Sequence, residues 1–204
     1  MIYTQAKWRK KMEHVRVSQI LAWIEPYVGI DPAVLEAKAA IGTNVHQSII
    51  DYCNCDFYVN DTQRADAYFK SWLMWREHHT DTINQVPRLY CDDLMLTGEC
   101  DGLMVHSEGN IIVDWKCSAN ANKKIWNLQA HYYWYLLEKN GHKPADKMLW
   151  VNLRHDKTKV GENVVYVPKM PISYTFEFSE ETLSYCILKA QEYHDVHSSA
   201  IVFD

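Results

Sequence analysis

Long apolar runs are missing from this sequence: none approaches the ~20 residues that cross a bilayer, so nothing in it calls for a membrane. The opening stretch, MIYTQAKWRKKMEHV, is charged and has no apolar segment behind it, so no secretory signal is expected. Glycine and proline are scarce, 7 and 6 among 204 residues, which excludes collagen-like and low-complexity chains. Paired CxxC spacing is absent. Cys53, Cys55, Cys91, Cys100, Cys117 and Cys186 are scattered, as reduced thiols of a cytoplasmic protein would be. A basic excess is also lacking. Lys and Arg number 21 against 26 Asp and Glu, a net charge of −5, which argues against unspecific coating of nucleic acid. An enzyme that meets DNA along one local stripe is still allowed. Basic residues do cluster at Lys7, Arg9, Lys10, Lys11 and Arg16, at Lys123 and Lys124, and at Arg154, Lys157 and Lys159. Taken singly, each cluster reads as solvated surface.

What is present is an ample core. Hydrophobic residues make up 48%, with 8 Trp and 13 Tyr. Ser18 can cap a short helix over Gln19–Ile24. Asp31-Pro32 marks a strong helix start, an acceptor at the cap followed by proline in the first turn. That helix is expected over Pro32–Cys53, with Leu35, Ala39, Val45, Ile49 and Ile50 on its apolar face, and a third over Thr62–His79. The period then changes. Val86–Cys91, Leu94–Gly98, Glu99–His106 and Ile111–Cys117 read as short strands, with Glu108-Gly109 as a two-residue hairpin loop. Helix returns over Lys123–Asn140, closed by Gly141 and Pro144. Strands over Lys147–Leu153 and Asn163–Pro168 and a final helix over Glu180–His197, capped by Ser179, complete the chain. No repeat or linker interrupts it. The expectation is one α/β domain over 1–204: a mainly helical part over 1–80, a mixed sheet over 85–168 containing the 123–140 helix, and the C-terminal helix over 179–197.

The stretch TGECDGLMVHSEGNIIVDWKCS carries the chemistry. With Glu108-Gly109 as the loop, Asp101 falls opposite Lys116, and Asp114 becomes its diagonal neighbour on the same face. Two carboxylates at ~4 Å repel by about 4 kcal/mol at an effective dielectric of 20. A hard divalent cation removes that penalty and uses the oxygens as ligands. Taken alone, these residues fit either a cation site or an ordinary surface hairpin with an Asp–Lys cross-strand pair.

The wider pattern resembles the PD-(D/E)XK nuclease superfamily, in particular its RecB-like exonuclease branch and the small phage exonucleases within it. Gly98-Glu99-Cys100-Asp101 is similar to the branch's G-x-x-D strand, and Asp114-Trp115-Lys116 to its D-x-K. Gln129-Ala130-His131-Tyr132-Tyr133 is similar to its Q-x-x-x-Y helix, and Gly42-Thr43-Asn44-Val45-His46 to its G-T-x-x-H helix. The order and separations are those of the branch, over about Val17–Asn140. The resemblance implies a restriction-endonuclease-like α/β core, a central mixed β-sheet flanked by helices. It implies that Asp101, Asp114 and the Trp115 carbonyl hold a metal, with His46 as a further ligand. Imidazole would shift preference from Mg²⁺ toward Mn²⁺. Lys116 would position the attacking water; Gln129 and Tyr133, four apart on one helix face, would brace the site or touch DNA.

Two departures stand out. The glutamate that many members place before the first core strand is represented here by Gln85, with Glu99 as a substitute that alternation points away. The cysteines that hold an iron–sulfur cluster in some relatives are missing: no Cys precedes Cys53 and only Cys186 follows Cys117, so no cluster is expected. The function expected is a Mg²⁺- or Mn²⁺-dependent deoxyribonuclease, an exonuclease of phage or bacterial recombination, repair or replication, in the bacterial or infected-cell cytoplasm. Its partners would be DNA and a single-strand annealing or replication protein. The alternatives are a DNA-binding or assembly module that keeps the fold without turnover, and a zinc-binding protein using the Cys and 10 His. The latter lacks ligand pairs at finger spacing.

Overall fold

The computed structural model describes residues 13–105 and 109–199. Strand β1 (Val15–Arg16) leads into helix α1 (Val17–Ile24). Ser18 lies inside this helix and does not cap it. The start is earlier because Gln19 Oε1 reaches back to accept the Arg16 backbone N–H at 2.9 Å. Helix α2 (Pro32–Cys55) starts where Asp31-Pro32 places it, with the Asp31 carboxylate accepting the Ala33 N–H at 2.8 Å. It runs two residues past Cys53 and stops where Asp56 turns left-handed, at φ 54°. Helix α3 (Gln63–Arg76) is capped by the Thr62 hydroxyl, which accepts the Ala65 N–H at 3.1 Å.

Four short strands follow: β2 (Ile83–Asn84), β3 (Leu89–Cys91), β4 (Leu96–Gly98) and β5 (Gly102–Met104), then β6 (Asn110–Lys116). Helix α4 (Lys123–Lys139) is capped by Asn122, and Gly141 beyond it takes φ +79°, the left-handed turn that ends many helices. The last strands, β7 (Pro144–Val160) and β8 (Asn163–Glu177), are far longer than 147–153 and 163–168. They pair with each other as an antiparallel ribbon. Its outer half buries little, so hydrophobic alternation could not reveal it. Helix α5 (Glu180–Ser199) closes the chain, with Ser179 Oγ accepting the Thr182 N–H at 3.2 Å.

The expected mixed sheet divides in two. Three strands lie in the order β1-β4-β3, with β1 parallel to β4; five lie in the order β2-β5-β6-β7-β8, with β6 parallel to β7. Strand β6 is buried on both faces. Ile112 joins a core with Trp126, Tyr132, Leu136, Met148 and Trp150, against α1, α4 and α5. Val113 and Trp115 join a second core with Val45, Ile49, Phe69, Trp72, Val151 and Leu153, against α2 and α3. Each large apolar side chain so buried contributes about 1.5–3 kcal/mol. Buried hydroxyls are satisfied: Tyr132 donates to the Cys186 carbonyl at 2.7 Å, tying α4 to α5. Among the described residues no helix is long and apolar enough to cross a membrane.

The β5–β6 register differs from the expected one by two residues. Gly102 pairs with Val113 and Met104 with Ile111, so Asp101 falls opposite Asp114, with Lys116 two positions beyond. The expected loop residue Glu108 lies outside the described residues. A shift of two keeps every side chain on its face, whereas a shift of one would not.

The glycine of the first motif has a packing role. A Cβ at Gly98 would lie 2.8 Å from Leu136 Cδ1, 3.0 Å from Tyr133 Cε1 and 3.1 Å from Val17 Cγ2. Gly98 therefore lets α4 and α1 close on β4. Gly98→Ala should destabilise the fold by about 1–3 kcal/mol through overpacking. Urea unfolding measures this, and an unchanged midpoint would refute the close packing.

Candidate active site

Asp114 is 2% exposed, in a strand whose other buried residues are Ile112, Val113 and Trp115. Its position on β6 is fixed by parallel pairing with β7, where Asp114 faces Trp150 and Lys116 faces Asn152. Lys116 Nζ lies 2.6 Å from Asp114 Oδ2. The two form a close ion pair, and among the described residues Asp114 Oδ2 has no other polar partner. Asp101, in the bend before β5, turns both oxygens inward. Oδ2 accepts the Trp115 backbone N–H at 2.7 Å, and Oδ1 lies 3.1 Å from His46 Nδ1. His46 Nε2 is 3.0 Å from the Trp115 carbonyl oxygen. Both imidazole nitrogens thus face acceptors, an arrangement that the doubly protonated ring satisfies.

The charges follow from this packing. Burial and then the neighbouring Asp101 push the Asp114 carboxyl up to about 6, although Lys116 opposes them. Burial acts upward on Asp101 too, but His46, Lys116 and the Trp115 N–H outweigh it and hold Asp101 below the usual carboxylate range. Burial alone would lower the His46 pKa; Asp101, with Asp114 behind it, raises it instead. One carboxylate is stabilised as an anion and its neighbour resists ionisation. Neighbouring carboxyls whose surroundings push their pKa values apart are a feature of sites that bind or react.

A cavity of about 540 Å³ opens over these groups. Its wall includes Thr43 and His46 from α2, Arg16 and Ser18, Asp101, Asp114, Lys116, Gln129 and Tyr133. Gln129 Nε2 donates to the Tyr133 hydroxyl at 2.8 Å, and the Tyr133 ring stacks on Trp150 at 6.4 Å. Burial and both carboxylates hold the Tyr133 hydroxyl well above its usual pKa, so it remains a neutral hydrogen-bonding group. All six side chains singled out in the sequence, and the Trp115 carbonyl, therefore belong to one site. Gln85 and Glu99 also line the cavity, with Glu99 at the rim, paired with Arg88 at 2.8 Å. A buried polar neighbour outside the cavity wall is Asn152. It is buried, stands beside Lys116 in register, and leaves Oδ1 without a partner. Only its register on β7 identifies it.

The donor set is suited to a hard divalent cation in a restricted sense. Among the described residues, no three His, Cys, Asp or Glu side chains gather around one point. Two carboxylates and a main-chain carbonyl do border the same cavity, one buried carboxylate oxygen is met only by the Lys116 ammonium, and His46 and Lys116 supply the positive charge there. Oxygen donors of this kind fit Mg²⁺ or Mn²⁺.

Solved structures share this architecture. LHK-Exo in complex with dAMP superposes with a TM-score of 0.51 at 8% identity, over 92% of this chain and 89% of that one. LHK-Exo, an alkaline exonuclease from Laribacter hongkongensis, gives 0.49 at 10% identity over the same shares. No family model and no curated protein matches the sequence. The first likeness shows the fold: the chain has a restriction-endonuclease-like α/β core, with its mixed strands flanked by helices.

Asp114 also carries a stability consequence. A carboxyl whose pKa is raised on folding penalises the folded state above its folded pKa, here about 6, and not below its unfolded value of ~4. Without added metal, Asp114→Asn should therefore stabilise the protein at neutral pH, on the order of 2 kcal/mol. The gain should fade as pH drops from 6 toward 4. Calorimetric melts in EDTA across that range measure it, and a destabilised variant at neutral pH would contradict the assignment.

Proposed function

We propose that this protein is a divalent-metal-dependent deoxyribonuclease, an exonuclease that serves recombination, repair or replication of phage or bacterial DNA. The observation that carries the reading is the convergence of Asp101, Asp114 and Lys116 with His46 in one cavity, on a core shared with a solved exonuclease. That neighbour has been solved with dAMP, which supports DNA as the substrate class.

Asp101, Asp114 and the Trp115 carbonyl are the oxygen donors, and His46 orients Asp101 and Trp115 or joins them as a nitrogen donor. When bound, Mg²⁺ or Mn²⁺ supplies charge neutralisation for a phosphodiester transition state and acidifies water. Lys116, released from its close contact with Asp114, is placed to hold the attacking water and to offset the developing negative charge. Hydrolysis joins the water oxygen to phosphorus and breaks one P–O ester bond; the departing sugar oxygen takes up a proton. Gln129 and Tyr133 offer uncharged hydrogen bonds to the backbone of the bound strand. Burial on both faces of β6 keeps these groups in register, and such positioning is a large part of what catalysis requires.

The experiment is single-turnover cleavage of end-labelled linear DNA, beside closed circular DNA, with Mg²⁺ or Mn²⁺. EDTA should abolish cleavage. Lys116→Ala should lose turnover by about a hundredfold or more while keeping DNA affinity, since a group acting in the transition state leaves ground-state binding largely intact. Cleavage that persists in EDTA would overturn the metal reading. An inactive wild type that still binds DNA would favour the assembly-module alternative.

A further inference from the structure

Lys116 touches one acceptor and stands beside another. Its Nζ lies 2.6 Å from Asp114 Oδ2. Strands β6 and β7 run parallel, and their register sets Asp114 against Trp150 and Lys116 against Asn152. Residues in register on paired strands point to the same face, and the strands lie ~4.8 Å apart. Asn152 therefore stands one strand over from the Lys116 stem, while Asp114 stands two residues behind it on its own strand.

Asn152 is 4% exposed, and its Oδ1 has no hydrogen-bond partner among the described residues. Buried amide oxygens are seldom left so. Its neighbour on the other side, across β8, is Ile172, whose side chain has nothing to donate. Two residues back on the same face of β7 is Trp150, whose Nε1 is a second unpartnered group. Asn152 does not line the cavity over the carboxylates, so any effect it has on the chemistry passes through Lys116.

Lys116 has room to change acceptors. Besides the cavity over the carboxylates it lines a second one of about 410 Å³, together with Ser118, Asn122 and Trp126. Its flexible stem carries a compact charge that is easily re-aimed. A cation that takes Asp114 as a ligand competes with Lys116 for the same oxygen, and two positive charges at one oxygen repel. The displaced ammonium, on a side chain only 19% exposed, then needs another acceptor, because an enclosed charge without one is costly.

We propose, on the metal-dependent reading above, that Asn152 is a positioning residue. Its Oδ1 receives the Lys116 ammonium when a divalent cation takes Asp114. Asn152 thus favours cation binding, by giving Lys116 a second partner, and fixes the lysine beside the cavity during the reaction.

The test is calorimetric titration with Mn²⁺, without DNA, of the full-length wild type and four variants: Asn152→Leu, Asn152→Asp, Lys116→Met and Lys116→Met/Asn152→Leu. Asn152→Leu removes the acceptor at similar size and should weaken Mn²⁺ binding about tenfold, the worth of one hydrogen bond to a charged group. Asn152→Asp keeps Oδ1 and loses only the amide N–H, so it should bind Mn²⁺ at least as tightly as wild type. Lys116→Met removes the competitor; in that background Asn152→Leu should change nothing, since such a cycle isolates the pair. In single-turnover cleavage, Asn152→Leu should lower the maximal rate and leave half-saturation by DNA nearly unchanged. An undiminished Mn²⁺ affinity in Asn152→Leu overturns the proposal. So does an equal loss with and without Lys116, which would assign Asn152 to packing or to Trp150, and so does loss of the fold in both single Asn152 variants. A wild type that neither binds Mn²⁺ nor cleaves DNA would remove the nuclease reading itself, and this role with it.

Discussion

A carboxylate held in an apolar strand sets the terms for much of this molecule. Asp114 sits between Val113 and Trp115, whose side chains are locked into the α2–α3 core, while Ile112 is locked into the α4 core. The strand cannot slip by one residue without burying Lys116 and exposing Trp115. Register is therefore strongly specified, and with it the meeting of Asp114, Asp101 and Lys116. The electrostatic cost of the pair is met locally by Lys116 and His46, which occupy positions from which an added cation could relieve them. Stability spent in this way is common where a site must bind or react.

The surrounding elements are explained by the same demand. Gly98 lets α4 approach closely enough for Tyr133 and Gln129 to reach the cavity. His131, within the same motif, is structural: Nε2 accepts the Ser179 N–H at 3.0 Å and Nδ1 donates to the Asn127 carbonyl at 2.8 Å. Trp115 serves twice. Its ring packs against Trp72 and Trp75 at 6.2 and 5.0 Å, and its backbone receives His46 and donates to Asp101. Gly42 differs from Gly98, because a Cβ there meets open space. Packing does not explain it.

Much of this was legible in the chain. The α2 start at Asp31-Pro32 follows from a side-chain cap, and β6 is legible as a short run of strand-forming residues around Asp114. The β5–β6 register was misplaced by two residues because a turn cannot be sized from Glu108-Gly109 when the strands on either side also tolerate turn residues. The long ribbon escaped because its outer half is stabilised by backbone pairing and cross-strand contacts, which leave no hydrophobic period. Asn152 escaped for a related reason. Its place beside Lys116 depends on a parallel pairing across 36 positions, seen in the register Lys116–Asn152, and no local pattern announces such a contact.

The most direct test of the account compares wild type and Asp114→Asn in one single-turnover assay with Mn²⁺ and end-labelled linear duplex. The account predicts that wild type degrades the duplex and that Asp114→Asn, although folded and at least as stable, does not. Equal cleavage by both proteins would contradict it, because the buried carboxylate would then have no part in the chemistry.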